Sequence, residues 1–100
     1  MDEVHLRYLL RRFGYVEVTT PKPRALVLRA DVDRSGERWR YTVRGWSASQ
    51  KVFEEGFAET RSGAINALLC ELNILVTLWR ERTRRKDDLK VVSVGSIEVC

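Results

Sequence analysis

Few residues in this chain have the types and spacing that catalysis or metal binding requires. His5 is the single histidine, and no CxxC or HxxH pair is present to supply metal ligands. A nucleophile and its base would have to combine His5 with a distant serine, threonine or cysteine, which no motif supports. Glu54 and Glu55 are adjacent, so a strand directs their carboxylates to opposite faces. Because the sequence also lacks a phosphate-binding glycine motif, we expect no enzymatic activity, no metal and no cofactor.

Basic charge is the strongest remaining signal, and it forms two clusters. The stretch RWRYTVRGW, Arg38 to Trp46, alternates cationic or polar residues with large apolar ones. The segment RERTRRK, Arg80 to Lys86, carries five positive charges in seven residues. Arginine and lysine bind phosphates, and a tryptophan can stack on a base. The candidate residues for binding nucleic acid or an acidic partner are Arg38, Arg40, Arg44, Trp46, Arg80, Arg82, Arg84, Arg85 and Lys86.

Both clusters also have a structural interpretation. If residues 38–46 form a strand of an antiparallel sheet, their arginines can pair with carboxylates on neighbouring strands, as is ordinary on a solvated sheet face. At a helix end, the cations of residues 80–86 interact favourably with the helix dipole, while Asp87 and Asp88 reduce the positive field. The residues alone leave the choice between binding and structural roles open.

Length and composition describe a small globular protein. The chain has 100 residues, of which 44% are hydrophobic and 32% charged, so we expect one folded domain over residues 1–100. The net charge of +4 is compatible with an acidic partner without requiring one. The start MDEVH lacks the pattern of a secretory signal, and Cys70 and Cys100 are too few for a disulfide framework. We therefore expect the protein in the reducing cytoplasm.

The N-terminal segment predicts a short amphipathic helix over residues 3–13, with a strand as the competing interpretation. Asp2 can cap the start of this helix, and Gly14 can cap its end. Residues 15–19, YVEVT, are expected to be extended, and the two prolines that follow end that segment. The apolar residues that share one side of the helix are Leu6, Leu9, Leu10 and Phe13.

Two consecutive hairpins are predicted next. Residues 24–33 alternate apolar and polar side chains, as a strand with one buried face does, and residues 38–46 form the return strand. A second hairpin through SASQ adds a third strand over residues 51–59. The core face of the return strand takes Trp39, Tyr41 and Val43, and the opposite face takes the arginines and Thr42.

The loop of the first hairpin sets which charges meet across the strands. We expect RSGE, residues 34–37, to form a four-residue loop that contains the glycine a hairpin needs. This loop length places Asp33 opposite Arg38 and Asp31 opposite Arg40. Cross-strand ion pairs of this kind are part of the structural interpretation of the basic strand.

A long helix is predicted from about residue 61 to about residue 85, with Thr60 as its N-cap. Its apolar run of about 16 residues contains Asn66, Glu71 and Asn73 and is shorter than the ~20 residues of a membrane span, so we expect no membrane contact. The residues expected to face the sheet are Ile65, Leu68, Leu69, Leu72, Leu75, Val76 and Trp79.

This helix carries more apolar surface than one sheet-facing stripe needs. We expect the excess to be covered by the N-terminal helix or by a second copy of the protein, which makes a homodimer or partner interface the hypothesis for this line. The residues of the second apolar line are Ala67, Cys70, Ile74 and Leu78.

The element order defines the expected fold. Residues 89–100 form a last strand, in which Gly95 can produce a bulge. The order α-β-β-β-α-β, with short hairpins before the long helix, predicts an α+β domain. We expect a three- to four-stranded, mainly antiparallel sheet with the long helix packed on one face.

The segment from Tyr41 to Leu75, YTVRGWSASQKVFEEGFAETRSGAINALLCELNIL, resembles two families. It resembles the second half of double-stranded-RNA-binding domains, in which paired strands lead into a basic helix whose first residues meet phosphates; here that start contains Arg61. With residues 26–33, the segment is also similar to HicB-type antitoxins in its order of strand, turn, strand, GFAET and helix. That resemblance implies a partial ribonuclease-H-like core that lacks catalysis and binds a small toxin.

Together these observations favour a non-enzymatic binding protein, and the leading hypothesis is a small inhibitor or antitoxin-like protein that blocks a macromolecular partner. The partner is expected to be a protein or a nucleoprotein complex. Small stand-alone binding domains include inhibitors encoded by phages and mobile elements, such as anti-CRISPR proteins, and we expect a role of that general kind. The alternative is a nucleic-acid-binding domain that uses the basic helix end and the arginine-rich strand.

Overall fold

The structure, a computed structural model, describes residues 3–95. The elements are α1 (Glu3–Phe13), β1 (Tyr15–Thr19), β2 (Leu26–Ser35), β3 (Arg38–Ser47), β4 (Gln50–Ala58), α2 (Arg61–Thr83) and β5 (Lys90–Gly95). Five antiparallel strands form one sheet in the order β4-β3-β2-β1-β5, with both helices packed against the core on one side. The expected α+β fold with a long helix on one sheet face is confirmed. The sheet has one strand more than expected because the segment YVEVT pairs on both of its sides.

The long helix α2 has defined signals at both ends. The Thr60 side chain accepts a hydrogen bond of 3.0 Å from the Gly63 backbone N–H, which confirms Thr60 as the N-cap. The helix ends when Arg84 adopts a left-handed conformation, and its N–H donates to the Arg80 carbonyl at 2.8 Å. The helix residues buried in the core are Ala64, Ile65, Leu68, Leu69, Leu72, Val76 and Trp79.

By length and composition alone, α2 also meets the criterion for a helix that could cross a membrane. The core helix of a soluble protein can meet the same criterion. In this structure the buried stripe of α2 packs on the apolar face of the sheet, so the protein itself covers that part of the helix. The sheet residues in this core are Val16, Val18, Leu26, Leu28, Ala30, Val32, Val43 and Val52.

The short helix α1 lies beside α2 and completes the helical layer. Its Leu6, Leu9 and Leu10 are buried, as expected, whereas Phe13 is 38% exposed at the last residue of the helix. The Gly14 N–H donates to the Leu10 carbonyl at 2.9 Å, so Gly14 closes the helix as expected. Asp2, the expected N-cap, lies outside the described residues. Hydrogen bonds tie α1 to α2: Arg7 donates to Asn66, and Arg61 donates to the Leu10 carbonyl.

The loop of the first hairpin differs from the expected one. Ser35 pairs with Arg38, so the loop is the two residues Gly36 and Glu37, and the prediction of a four-residue loop is wrong. Gly36 has φ +63°, and glycine at the first position of a two-residue loop is typical of a type II′ turn.

The shorter loop changes the cross-strand pairs but not the faces. Asp33 lies opposite Arg40, and Asp31 lies opposite Thr42, so the predicted pairs Asp33–Arg38 and Asp31–Arg40 are wrong. The register differs from the expected one by two residues, which is the side-chain period of a strand. Every side chain therefore stays on its predicted face.

The last strand is irregular at a different position from the expected one. Gly95 pairs with Tyr15, and the register shift lies between the pairs Glu17–Ser93 and Val18–Val91, so the extra residue is Val92. The prediction of a bulge at Gly95 is therefore wrong. The rest of the expected strand, residues 96–100 with Cys100, lies outside the described residues.

Gly45 is the position where the sheet tolerates a side chain least. Its φ is +153°, and a Cβ at this position would lie 1.9 Å from the Val27 carbonyl oxygen of the neighbouring strand. Gly45→Ala is expected to lower the free energy of unfolding by about 3 kcal/mol or more, because the clash involves backbone that cannot move aside. Urea denaturation followed by circular dichroism measures this change.

Gly95→Ala is the matched control, because a Cβ at that strand position meets nothing within 4 Å. We expect the control to change the free energy of unfolding by less than about 0.5 kcal/mol. Equal unfolding midpoints for the two variants would show that β2 and β3 do not approach as closely as described.

Candidate interaction surface

The sheet has one face without a helical layer within residues 3–95, and we call it the open face. It carries the alternate residues of each strand that do not enter the core. Three exposed aromatic side chains lie on this face: Trp46 is 50%, Phe53 59% and Phe57 44% exposed. Aromatic rings of this size are normally buried, so their exposure marks this side of the sheet as a candidate contact surface.

These aromatic residues alternate with cations on β3 and β4. Trp46 lies opposite Lys51, and Arg44 lies opposite Phe53. At the other end, the Arg38 guanidinium lies 4.6 Å from the centroid of the Phe57 ring, which is a cation–π contact. We call this set the aromatic patch, and its residues are Arg38, Arg44, Trp46, Lys51, Phe53 and Phe57.

The arginines of β3 have three different environments. Arg40 forms a two-pronged ion pair with Asp33, with Nε–Oδ1 and Nη2–Oδ2 distances of 3.2 and 2.8 Å, and it lies 4.0 Å from Glu55. This residue therefore has the structural role, paired across the sheet. Arg38 stacks on an aromatic ring, and Arg44 is exposed with no ion pair within 4.0 Å among residues 3–95. Arg44 and Trp46 are thus the candidates from this strand whose side chains are free to contact a partner.

The middle of the open face is polar and half-buried. Asp31 lies between Tyr15 and Thr42 on the neighbouring strands. Burial raises the pKa of Asp31 above its ordinary value, the negative charge of Asp33 raises it further, and Arg44 offsets part of the rise. Burial also raises the pKa of Tyr15. The charged form of Asp31 is therefore less favourable in the fold than in water.

The basic helix end is largely occupied by contacts within the chain. Arg80 forms an ion pair with Asp88, with an Nη2–Oδ1 distance of 3.1 Å, and the Arg82 guanidinium donates a hydrogen bond to the Gln50 side chain. Arg85 pairs with Asp87 at 2.7 Å, donates to the Pro23 carbonyl and lies 5.3 Å from the centroid of the Trp79 ring. Arg80 and Arg85 therefore hold the chain reversal between α2 and β5, which is the structural interpretation of the cluster. Arg82, Arg84 and Lys86 are the members of the cluster that are exposed.

The two halves of the predicted nucleic-acid site do not come together. Arg38, Arg40 and Arg44 lie on the open face, whereas the helix with Arg80–Lys86 at its end packs on the opposite face. A single ligand would have to pass around the sheet edge to contact both. Phe53 and Phe57 are members of the patch that the sequence interpretation missed. Alternation in KVFEEGF puts both on one face, but the sequence does not show that this face is uncovered.

The second apolar line of α2 lies largely on the surface of the protein, as the excess apolar area of this helix suggested. Ile74 is 51% and Leu78 50% exposed, Cys70 is exposed and Ala67 is half-buried. Leu78 also lines a groove of about 330 Å³ between α2 and β4, together with Val52, Leu75 and Arg82 among others. The part of the line that α1 was expected to cover remains open, because α1 packs on the other flank of α2, where Arg7 bonds Asn66 and where Leu6 and Leu69 line the same cavity.

Comparison with protein-family models, with curated protein sequences and with solved structures finds no match to this chain. The resemblances to HicB-type antitoxins and to double-stranded-RNA-binding domains therefore stay predictions. Among residues 3–95, no group of three or more His, Cys, Asp or Glu side chains could hold a metal ion.

Asp31→Asn is expected to stabilise the protein at pH 7. The folded-state pKa of Asp31 lies above the ordinary value of 3.8, so the charged carboxylate costs free energy in the fold at any pH above the raised pKa. The amide removes that cost. The advantage shrinks as pH falls through the raised pKa and disappears below 3.8, where the carboxyl is neutral in both the folded and the unfolded chain. Urea denaturation of variant and wild type at pH 7 and pH 3 measures the difference.

Asp33→Asn is the matched control and has the opposite expected sign at pH 7, because it removes the ion pair with Arg40. An Asp31→Asn variant that is less stable than wild type at pH 7 would contradict the buried position of Asp31.

Proposed function

We propose that this protein is a non-enzymatic binding protein that blocks a macromolecular partner by covering it with the open face of its sheet. The observation that carries the proposal is the exposure of Trp46, Phe53 and Phe57 together on a face without a helical layer within residues 3–95. Tryptophan and arginine dominate the binding energy of protein interfaces, and the aromatic patch combines both.

A protein is the proposed partner because the open face carries charges of both signs. Four carboxylates lie among its cations, and a polyanion would be repelled by each of them. A protein surface can instead match the alternation of charge. The patch itself is locally basic, so an acidic rim on the partner fits it. The carboxylates of the open face are Glu17, Asp31, Asp33 and Glu55.

An inhibitor of the antitoxin or anti-CRISPR kind works in the proposed way, because it occupies a surface that its target needs and performs no chemistry. Such a protein requires a rigid contact face and little else. A sheet whose strands pair over nine or ten residues supplies that rigidity here. A reducing compartment such as the cytoplasm suits the exposed thiol of Cys70.

Single-stranded nucleic acid is the second candidate ligand, and one observation favours it. Aromatic rings and cations alternate on β3 and β4, with Trp46 beside Lys51 and Phe53 beside Arg44. Proteins that bind single strands commonly stack the bases on aromatic rings and place cations beside them to contact the phosphates. The helix end is not part of this candidate site, because most of its arginines bond within the chain.

The proposal is tested with the double variant Arg44→Ser/Trp46→Ser. Both residues are exposed, so the fold is expected to persist, which circular dichroism checks. The immobilised protein is used to purify a stoichiometric complex from cells that contain its natural target. The partner's affinity is then measured by titration calorimetry. We expect the double variant to bind at least about tenfold more weakly, since it removes two anchor side chains.

The matched control is Ile74→Ser/Lys86→Ser, which also removes one exposed apolar residue and one cation, but from the helix side. We expect this control to bind like wild type. A partner that tolerates the Arg44/Trp46 variant and loses affinity for the control would contradict a role for the open face. Anisotropy of labelled single strands and duplexes at several salt concentrations tests the second candidate, because phosphate contacts give a steep loss of affinity with salt.

A further inference from the structure

The strand β4 is a long and regular edge of the sheet. Gln50 to Ala58 pair with β3 without interruption, and the opposite side of β4 has no strand partner within residues 3–95. Natural proteins protect such an edge with proline, a bulge, a short strand or charged side chains; β4 has the charged residues Lys51, Glu54 and Glu55 but no proline and no bulge, and it is nine residues long. The other edge, β5, is protected, because its register is broken at Val92. The edge formed by β4 is therefore ready to accept another strand.

The hairpin between β3 and β4 determines which backbone groups point outward. Its loop is the two residues Ala48 and Ser49, so Ser47 and Gln50 form the hydrogen-bonded pair that closes it. Hydrogen-bonded and non-hydrogen-bonded positions then alternate along the strand. The odd-numbered residues of β4 consequently direct their N–H and C=O groups to the free edge, and their side chains lie on the open face. These residues are Lys51, Phe53, Glu55 and Phe57.

We propose that a second copy of this chain pairs antiparallel with β4, with the two-fold axis at Phe53, to form a continuous ten-stranded sheet. This interface goes beyond the proposed function and does not depend on it. A two-fold axis perpendicular to the sheet keeps both open faces on the same side, because directly opposite residues of an antiparallel pair share a face. The axis then runs midway between the two copies of one residue, which lies opposite itself. The candidates near the middle of β4 are the positions 52–56.

Charge complementarity selects Phe53 among these positions. With the axis at Phe53, Lys51 of each copy lies opposite Glu55 of the other, which makes two ion pairs. An axis at Glu54 or Glu55 would put that carboxylate opposite its own copy. An axis at position 52 or 56 gives no lysine–glutamate pair. The strand is thus self-complementary in one register, as an interface between identical chains requires.

The same register also brings exposed apolar side chains of the two copies together across the two-fold axis. Phe53 lies opposite itself, so its exposed ring is covered by the ring of the second copy. The aromatic patch then continues from Trp46 of one copy to Trp46 of the other. On the helix side, α2 lies mainly over β3, so the two α2 helices are about three strand spacings of ~4.8 Å apart. That is wider than direct helix packing, so the strand pair carries the contact, and the exposed Leu78, which lines the groove between α2 and β4, borders the gap.

The first test measures the mass of the protein by sedimentation equilibrium over a range of concentrations. We expect a reversible dimer of twice the 11.6 kDa monomer mass. Lys51→Glu places two glutamate pairs at the interface and should weaken the dimer by about tenfold or more. Lys51→Glu/Glu55→Lys exchanges the charges and should restore it. The control is Lys90→Glu, the same change on the other edge strand, which should leave the dimer unchanged.

The second test reads the register directly. In a Cys70→Ser/Cys100→Ser background, Phe53→Cys should form an intermolecular disulfide on mild oxidation, because opposite hydrogen-bonded residues have Cα atoms about 5.5 Å apart. The control is Phe57→Cys on the same strand and face. In the proposed register the two copies of residue 57 are about 27 Å apart, so this control should not cross-link.

A protein that stays monomeric at every concentration overturns the proposal. A dimer that survives Lys51→Glu unchanged, or that cross-links equally through positions 53 and 57, also overturns it. If Ile74→Glu dissociates the dimer while Lys51→Glu does not, the interface is the apolar line of α2 and not β4. If no partner is found whose binding depends on Arg44 and Trp46, the dimer tests still stand, because neither residue belongs to β4.

Discussion

The packing of α2 against the sheet is the interaction on which the rest of the structure depends. Its stripe ends at Trp79, which is fully buried and donates from Nε1 to the Arg24 carbonyl at 2.9 Å. A helix with its side chains is about 10 Å wide, whereas five strands span about four spacings of ~4.8 Å. One helix therefore covers about half of the sheet, and α1 must cover the rest. Residues 3–95 place no second layer on the other side of the sheet.

The lack of a second layer among residues 3–95 determines the character of the open face. A sheet face without a cover has to be compatible with water, and this one achieves it with interleaved charges, of which the Arg40–Asp33 pair is the best formed. The exposed aromatic rings toward the β4 edge are the exception, because the exposure of apolar surface to water is unfavourable in free energy. The exposed aromatic rings lie over β3 and β4, whereas mainly polar side chains lie over β1 and β2, and this uneven distribution is the observation behind the proposed contact surface.

The face of each side chain was predictable from the sequence, because alternation and helical periodicity decide it locally. Trp39, Tyr41 and Val43 were assigned to the core side of the sheet in this way, and Val43 is fully buried. The pairing register of β2 and β3 was not predictable from the sequence. The segment RSGE can form a two-residue or a four-residue loop, and only the position of Gly36 in the loop distinguishes the two.

The candidate surface was only partly predictable. Arg44 and Trp46 were identified from their spacing, but Phe53 was not, since nothing local shows which sheet face the helices leave uncovered. The contacts of the helix-end arginines within the chain were not predictable for a similar reason. Arg85 is engaged by Asp87, which is near in sequence, but also by the Pro23 carbonyl and the Trp79 ring, which only the fold brings close.

The positions of the tryptophans give the protein separate optical reporters for two events. Trp79 is sealed in the core at the end of α2, so its emission is expected to respond to unfolding and to be insensitive to surface quenchers. Trp46 is half-exposed on the candidate surface and is expected to be accessible to iodide until that surface is covered. The third tryptophan, Trp39, also emits, so replacing Trp39 and one of these two by phenylalanine would isolate the signal of the other. Binding and unfolding can thus be followed in the native chain without an attached dye.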